Sequence, residues 1–564
     1  MDLHPTEHND MSLPASIQPS VGQSLITRVS RLFNGTIHDV LHELLQNSRR
    51  AGASRIDIDV TDIDGVQKLI FSDDGSGIDD PSALVTLGYS GWDKDIARRE
   101  DPAGMGVFGL AGHHVIIRSW SRAAGQGWEV EIPENAWEGD MALAVECSSR
   151  TAGTQLEITL PEQWIERLPD SVREASRYFP LPVIFNGTEL PREDFLAGAI
   201  RIEECRGCRI GIFSAAGYDP NDAPRFNFHG VTAPCLMPSV LEIGTFDRWH
   251  VKIDIVDAPD LQLVLPARKE MVENDALATL RLEAETGIYR VIAQQSNHRL
   301  SFKRWKRAEQ LGVTLAEAAP WLEAWMPITA DSQGRECGGP VRSATMIIVP
   351  RFDVDIEQGA APILQDAARM GGEVVCAEEQ FAGYSWYDRL PRLDKITFSI
   401  ERNGEKAVYG DDPLDAAFAS GPVDSIHLDL VIAESTLPEA RRNHLSYPLE
   451  MLVCGNGGTE LDEAIILFDA KAKIAPSLLA WWMKSCIFCA SDDANSDSWK
   501  TQSQFFERDA RDLANALLLG EEAALIEQIR DAVERKVQWL HPKGRTLALT
   551  ATRDSLSVTL DKPA

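Results

Sequence analysis

The segment His42-Glu43-Leu44-Leu45-Gln46-Asn47-Ser48-Arg49-Arg50-Ala51-Gly52-Ala53 constrains the fold of this chain more than any other. Ile37, Leu41, Leu44 and Leu45 recur at helical spacing, which predicts a helix with one buried stripe running into a glycine stop. Glu43 and Asn47 lie four residues apart, so they share a face, one turn above the other. A carboxamide oxygen can ligate a hard cation such as Mg2+. A carboxylate beside it can orient and deprotonate a water. Taken alone, the pair reads first as an ordinary exposed polar pair on an amphipathic helix, because polar pairs at this spacing are common.

Two later segments change that balance. Residues 68 to 72, Lys-Leu-Ile-Phe-Ser, read as a strand, and Asp73-Asp74-Gly75-Ser76-Gly77-Ile78 follows. An acid at a strand end followed by two glycines lets backbone approach a flat ligand closely, and the acid can accept a hydrogen bond from an exocyclic amine. The plain alternative is an Asp-Gly turn. Further on, Gly104-Met105-Gly106-Val107-Phe108-Gly109-Leu110-Ala111 opens an apolar, helix-like run. Glycine-rich backbone leading into a helix N-terminus presents amide hydrogens to a phosphate. Spaced glycines also occur by chance.

In this order and spacing the segments resemble the GHKL ATPase superfamily, which includes the ninety-kilodalton heat-shock chaperones, type II topoisomerases, MutL, MORC proteins and the histidine kinases. The helix is similar to that group's N-box, with Glu43 and Asn47 at its acid and amide. Asp73, Gly75 and Gly77 match its adenine-binding box. Gly104, Gly106 and Gly109, with Val107 and Phe108 between them, match its phosphate-lid box. A fourth match is Gly153-Thr154 before the alternating strand at residues 155 to 160; the resemblance implies that Thr154 lies near the adenine and its water. The resemblance covers roughly residues 20 to 165. One residue departs from it: MutL-like proteins carry an acid where Arg50 stands, so that acid's contacts are not carried over.

The chain has 564 residues, too many for one core. Lys and Arg number 55 against 86 Asp and Glu, a net charge of −31. Such a balance disfavours broad binding to nucleic acid or anionic membrane, though a local basic patch remains compatible with it. No segment offers 18 uninterrupted apolar residues, so no membrane span is expected. The polar, acidic start is unlike a signal peptide, which points to the cytoplasm. Nine cysteines include Cys205-x-x-Cys208 and Cys486-x-x-Cys489; each could supply half a zinc site, but buried free thiols fit the apolar context better.

The expected architecture is α+β and multidomain. Residues 1 to 15 form a flexible arm. Residues 16 to 165 form a Bergerat-type α/β sandwich ATPase domain, with strands at 55–60, 67–72, 115–120, 128–132 and 155–160 and helices on one face. Residues 79 to 103 are the candidate lid over bound ATP. A transducer-like α/β domain follows at 166–300, with strands at 182–187, 249–257 and 261–265 and a helix to about 297. At its strand-to-helix junction, the resemblance implies that Arg268 or Lys269 reaches the terminal phosphate, where a cation offsets developing charge. Residues 301–470 read as a mixed α/β domain of unknown role, including a strand–helix–strand unit at 343–349, 362–368 and 373–376. Residues 471–564 read as a tryptophan-containing helix, a long helix broken near Gly520 and a terminal hairpin.

The functional expectation is an ATPase that binds Mg2+ and ATP, hydrolyses slowly and switches conformation, as a chaperone-like or assembly machine. The resemblance implies a homodimer on nucleotide binding and leaves room for a protein client. The first alternative is a DNA-transaction ATPase of MutL, MORC or topoisomerase type, with nucleic acid as partner. The second is a nucleotide-sensing scaffold without significant turnover. Too few residues precede the helix for a phosphoacceptor hairpin, which places a histidine kinase behind these.

Overall fold

Helix α1, Ile37–Arg50, begins on a capping box in which the Thr36 hydroxyl accepts from the Asp39 N–H and the Asp39 carboxylate accepts from the Thr36 N–H. It ends where Gly52, at φ 70°, turns the chain left-handed and the Ala53 N–H closes on the Ser48 carbonyl at 3.0 Å. Its buried stripe contains Ile37, Val40, Leu41, Leu44 and Leu45, the face expected from their spacing.

In the computed structural model the described residues are 36–63, 65–84, 109–138, 142–216, 225–264, 270–332, 337–343, 345–410, 412–415, 418–435, 441–455, 460–493, 496–536 and 543–561. They divide into two compact units, one running through Leu300 together with Arg304–Ala316, the other holding Ser301–Lys303 and the chain from Glu317 onward.

The first unit contains two sheets. Strands β1 (Ile56–Ile63), β2 (Val66–Asp73), β3 (Val115–Ser121), β4 (Gln126–Ile132), β5 (Val145–Ser148), β6 (Thr154–Thr159), β7 (Val183–Phe185) and β8 (Thr188–Glu189) form the larger, in the order β5-β4-β3-β6-β2-β1-β7-β8. Only β1 and β7 run parallel; the other neighbours are antiparallel. Alternation decides the two faces. Leu69, Phe71, Val115, Ile117, Leu156 and Ile158 turn inward beneath α1 and helix α2, Leu168–Ser176, and all share one core. On the other face Glu157 pairs with Lys68 at 2.6 Å and with Arg118 at 3.0 Å. The layer of helices on one side of a sheet is the expected one. It continues past residue 165, since α2 packs on this core and β7 extends this sheet.

The second sheet comprises β9 (Arg201–Cys205), β10 (Cys208–Ala216), β11 (Phe226–Phe228), β12 (Val231–Ala233), β13 (Val240–Leu241) and β14 (Asp247–Ile255), ordered β12-β11-β14-β10-β9 with β13 also on β14. Helix α3, Asp275–Ile292, shares its core through Leu277, Leu280, Ala284 and Ile288. Over the described residues 261 to 264 the expected strand, which ran to 265, is reduced to a single bridge. Leu261 and Leu263 are buried, and among the described residues the backbone pairs through the isolated antiparallel bridge Leu263 to Met271, closed by the Val264 N–H on the Glu270 carbonyl and the Val272 N–H on that of Gln262, both at 2.8 Å.

In the second unit, β15 (Leu322–Trp325), β16 (Cys337–Val341), β17 (Met346–Val349), β18 (Glu373–Cys376), β19 (Arg392–Arg402), β20 (Glu405–Tyr409), β22 (Ser425–Ala433) and β23 (Arg442–Leu449) form one mixed sheet. β17 and β18 are parallel and joined through helix α4, Val354–Leu364. That helix starts well before the expected residue 362, and Pro362 lies inside it. Its buried acids are committed within the fold: Glu357 accepts from the N–H groups of Ile328 and Phe352, and Asp355 from the Gly455 N–H and the Tyr409 hydroxyl. A smaller sheet, β21 (Gly421–Val423), β25 (Ile465–Asp469) and β24 (Met451–Cys454), is followed by helices α5 (Pro476–Ile487), α6 (Trp499–Leu519) and α7 (Glu521–Lys536). Gly520 divides the last two at φ 80°. Strands β26 (Leu547–Thr552) and β27 (Ser555–Leu560) close as the expected hairpin. Among the described residues no helix is long and apolar enough to cross a membrane.

Candidate active site

The site is built where the last turn of α1 meets the end of β2. Asp73, the final residue of β2, alternates inward after Leu69 and Phe71 and is 8% exposed. Its Oδ2 accepts from the Ser48 hydroxyl at 3.0 Å, and its Oδ1 accepts from the N–H groups of Gly75 at 2.9 Å and Thr154 at 3.3 Å. Burial pushes the Asp73 carboxyl above its ordinary range; these three bonds and the nearby Arg150 guanidinium pull the other way without cancelling it. Arg150 itself donates to the carbonyls of Asp73 at 3.1 Å and Thr154 at 3.2 Å. Desolvation lowers its pKa.

Two glycines permit this closeness. A Cβ on Gly77, at φ 75°, would stand 2.1 Å from the Trp120 carbonyl oxygen, and one on Gly153, at φ 64°, 2.0 Å from that of Asp73. No side chain fits at such distances. The turn is also tied to the helix, since the Ser76 N–H donates to the Ala51 carbonyl at 2.8 Å. Behind Asp73, the Ser119 hydroxyl lies 2.8 Å from that of Thr154 and accepts from the Ile78 N–H at 2.9 Å.

Glu43 and Asn47 stand on the same helix, Asn47 immediately before the Ser48 that binds Asp73. Their side chains converge on Arg50. Its Nη1 donates to Asn47 Oδ1 at 3.0 Å and lies 3.9 Å from Glu43 Oε1. The Arg50 side chain is 2% exposed and that of Glu43 19%. An amide oxygen has two lone pairs, so Asn47 keeps one for a cation. The residues present therefore fit a nucleotide with Mg2+: a buried acceptor between close-approach glycines, and an amide oxygen one residue from Ser48.

Gly109 abuts α1, with Val40 Cγ2 3.9 Å from where its Cβ would be. Gly104, Gly106, Val107 and Phe108 lie outside the described residues, as do Arg268, Lys269, residues 1 to 15 and the lid segment from residue 85 to 103. Among the described residues no group of three or more His, Cys, Asp or Glu is placed to hold a metal; Cys205 and Cys208 sit opposite each other at the β9–β10 turn.

Sequence reasoning missed Ser48, Ser119 and Arg150. Ser119 carried a signal: in the alternation Val115, Ile117, Ser119 of β3 it holds an inward position, where a hydroxyl needs a partner. Arg150 carried none, because a lone exposed-type residue between strands has no periodicity to read.

Residues 35–123 match the family model described as histidine kinase-, DNA gyrase B- and HSP90-like ATPase. DNA mismatch repair protein MutL of Pseudomonas fluorescens is 37% identical over 128 residues, which is 21% of this chain and 19% of that protein. MutL of Pseudomonas syringae pv. tomato is 35% identical over the same length. The chain therefore spans about a fifth of the length of the curated relatives it matches. The ATPase region of Saccharomyces cerevisiae topoisomerase II aligns with 44% of this chain and 77% of its own, at 10% identity and a TM-score of 0.31. On its motifs, its layered α/β order and the matching family model, the N-terminal domain of this chain belongs to the GHKL ATPase superfamily.

Proposed function

We propose that this domain binds ATP with Mg2+ and hydrolyses it slowly, using the cycle to switch conformation. The observation that carries the reading is the buried Asp73 carboxylate, fixed by Ser48, Gly75 and Thr154, beside the helix that bears Glu43 and Asn47. Asp73 accepts from the adenine amine, while Gly75, Gly77 and Thr154 let the ring approach. Glu43 orients and deprotonates the attacking water. Asn47 is the residue that would hold Mg2+, through the lone pair its Oδ1 keeps, and the ion would supply positive charge beside the phosphates. Gly104, Gly106, Val107, Phe108 and Gly109 supply phosphate contacts, and Arg268 or Lys269 reaches the terminal phosphate. Nucleotide binding drives homodimerisation.

Two settings suit such a switch. The net charge of −31 favours a protein client and a chaperone-like or assembly role. The similarity to MutL proteins, named for DNA mismatch repair, favours a DNA transaction. Steady-state ATP hydrolysis by the wild type and Glu43→Ala, with and without double-stranded DNA, tests both. Glu43→Ala is expected to bind ATP and lose about a hundred- to ten-thousand-fold in rate. Normal turnover by this variant would remove Glu43 as the base. DNA-stimulated turnover would select the second setting, and turnover indifferent to DNA the first.

A further inference from the structure

In the second unit, β15 lies between β16 and β18 in the sheet. Its pairing with β16 steps from Glu323–Pro340 to Trp325–Cys337, so Gly338 and Gly339 together stand opposite Ala324. Such a bulge bends a strand and re-aims its side chains. A Cβ on Gly338 would stand 2.8 Å from that of Ala324, so glycine lets β16 close in here. On its other side Ala324 pairs with Val375, the neighbour of Cys376. Two cysteines 39 residues apart in sequence meet as a result: Cys337 Sγ lies 3.1 Å from Cys376 Sγ, which also donates weakly to the Ala324 carbonyl at 3.7 Å. Both are free thiols, Cys337 half-buried on the edge strand β16 and Cys376 buried in the core of the sheet. Their separation is shorter than the roughly 3.5–4.0 Å of ordinary heavy-atom contact. It is also shorter than the roughly 3.8 Å between two thiolates on one zinc ion, and among the described residues no third His, Cys, Asp or Glu completes a metal site. A sulfur–sulfur bond is about 2.05 Å long, so an approach of about 1 Å separates this pair from one.

We propose that Cys337 and Cys376 form a thiol–disulfide redox site, in which Cys337 reacts first and Cys376 resolves the product. It stands apart from the nucleotide reading. The oxidant is a low-molecular-weight disulfide. The Cys337 thiolate attacks one of its sulfurs, the reagent's S–S bond breaks, and one small thiol leaves, taking up the proton that Cys337 lost. The Cys376 thiolate then attacks the Cys337 sulfur of the mixed disulfide. The Cys337–Cys376 bond forms, and the second small thiol leaves with the proton from Cys376. Two protein thiols are oxidised, and one reagent disulfide is reduced to two thiols. Cys337 comes first because it is the more exposed of the two. Burial, with Cys376 and Glu323 adding to it, pushes the Cys337 thiol up, so its thiolate is scarce and the first step takes minutes to hours. The bridge ties the edge strand β16 to β18 across β15 and closes a loop of about 40 residues, which restrains the unfolded chain.

The test is oxidation of the full, folded chain with hydroxyethyl disulfide, a small uncharged reagent, followed by alkylation and peptide mapping without reduction. It is run on the wild type, Cys337→Ser and Cys376→Ser. The wild type is expected to yield Cys337 and Cys376 in one linked pair of peptides, lost again on adding dithiothreitol. Its melting temperature should rise by about 5–10 °C on oxidation and fall back on reduction. Cys376→Ser is expected to keep one reagent thiol on Cys337, the intermediate that has no partner to resolve it. Cys337→Ser is expected to leave the buried Cys376 unmodified over the same time. A wild type that stays folded and carries mixed disulfides alone, with Cys337 and Cys376 unlinked, overturns the proposal. So does a link that forms only in denaturant, or modification of Cys376 in Cys337→Ser as fast as the bridge forms in the wild type. Thermal melts identify a serine variant that fails to fold. The wild-type map then decides the bridge, and a mixed disulfide caught on Cys337 at early times decides the order.

Discussion

Asp73 is a carboxylate placed where a carboxamide would be easier to bury. Because burial raises its pKa, the native state holds the Asp73 proton more tightly than the unfolded chain does. Stability therefore falls as pH rises, from the ordinary carboxylate range up to the raised value, and the loss persists above it. Asp73→Asn removes this titration. It also keeps an oxygen for the Gly75 and Thr154 N–H groups, while Ser48 can reorient to accept. The variant is expected to melt no lower than the wild type at neutral pH, and its melting temperature should not decline with pH across that window. Its ATP affinity should fall by about 1.5–3 kcal/mol, one charged hydrogen bond. Melts between acidic and neutral pH, paired with ATP titrations, check both. A variant that melts far lower at neutral pH would make Asp73 a structural acid instead.

At the scale of elements, α1 joins the nucleotide site to the second sheet. Gln46, 1% exposed and next to Asn47, donates through Nε2 to the carbonyls of Phe228 at 3.1 Å and His229 at 2.6 Å, in the β11–β12 turn. His229 is held there at φ 49°. On the switch reading proposed above, any shift of α1 on binding nucleotide would reach this turn through Gln46. Gln46→Ala strips two carbonyls of a donor in a buried place and is expected to cost about 1–3 kcal/mol. ATP binding should survive, since Gln46 is assigned no contact with the nucleotide. Denaturant midpoints and ATP titrations would measure the two effects separately. The N-terminal cap offers a second check on the same helix: Thr36→Ala removes the acceptor for the Asp39 N–H and should cost about 0.5–2 kcal/mol.

At the scale of the molecule, the switch reading predicts association. Light scattering with a non-hydrolysable ATP analogue should show a doubling of mass for the wild type and none for Asp73→Asn; a wild-type mass unmoved by saturating analogue would remove dimerisation. Much of the nucleotide domain was legible in the sequence because its determinants are local. Periodicity alone set the buried stripe of α1 and the inward faces of β2, β3 and β6, and backbone conformation set the glycines at 52, 77 and 153. The alternating stretch at 261 to 264 makes one bridge to Met271 instead of a strand, because alternation fixes which side chains face inward and not how far the backbone pairs. Of the groups around Asp73, Ser48 comes from α1, Arg150 from the segment before β6, and Ser119, which braces Thr154 and Ile78, from β3, separated by up to about a hundred residues. The Gln46 contacts to the second sheet span 182 and 183 residues. The sequence by itself determined which residues are candidates for chemistry and which face of each element is apolar, since both follow from side-chain type and spacing. Only the tertiary structure decided that Asp73 is buried and that Gln46 reaches across to Phe228 and His229, because burial and long-range pairing depend on how the sheets and helices pack. It also decided which rotamer brings Arg50, a neighbour of Asn47 in sequence, onto the oxygen of that residue.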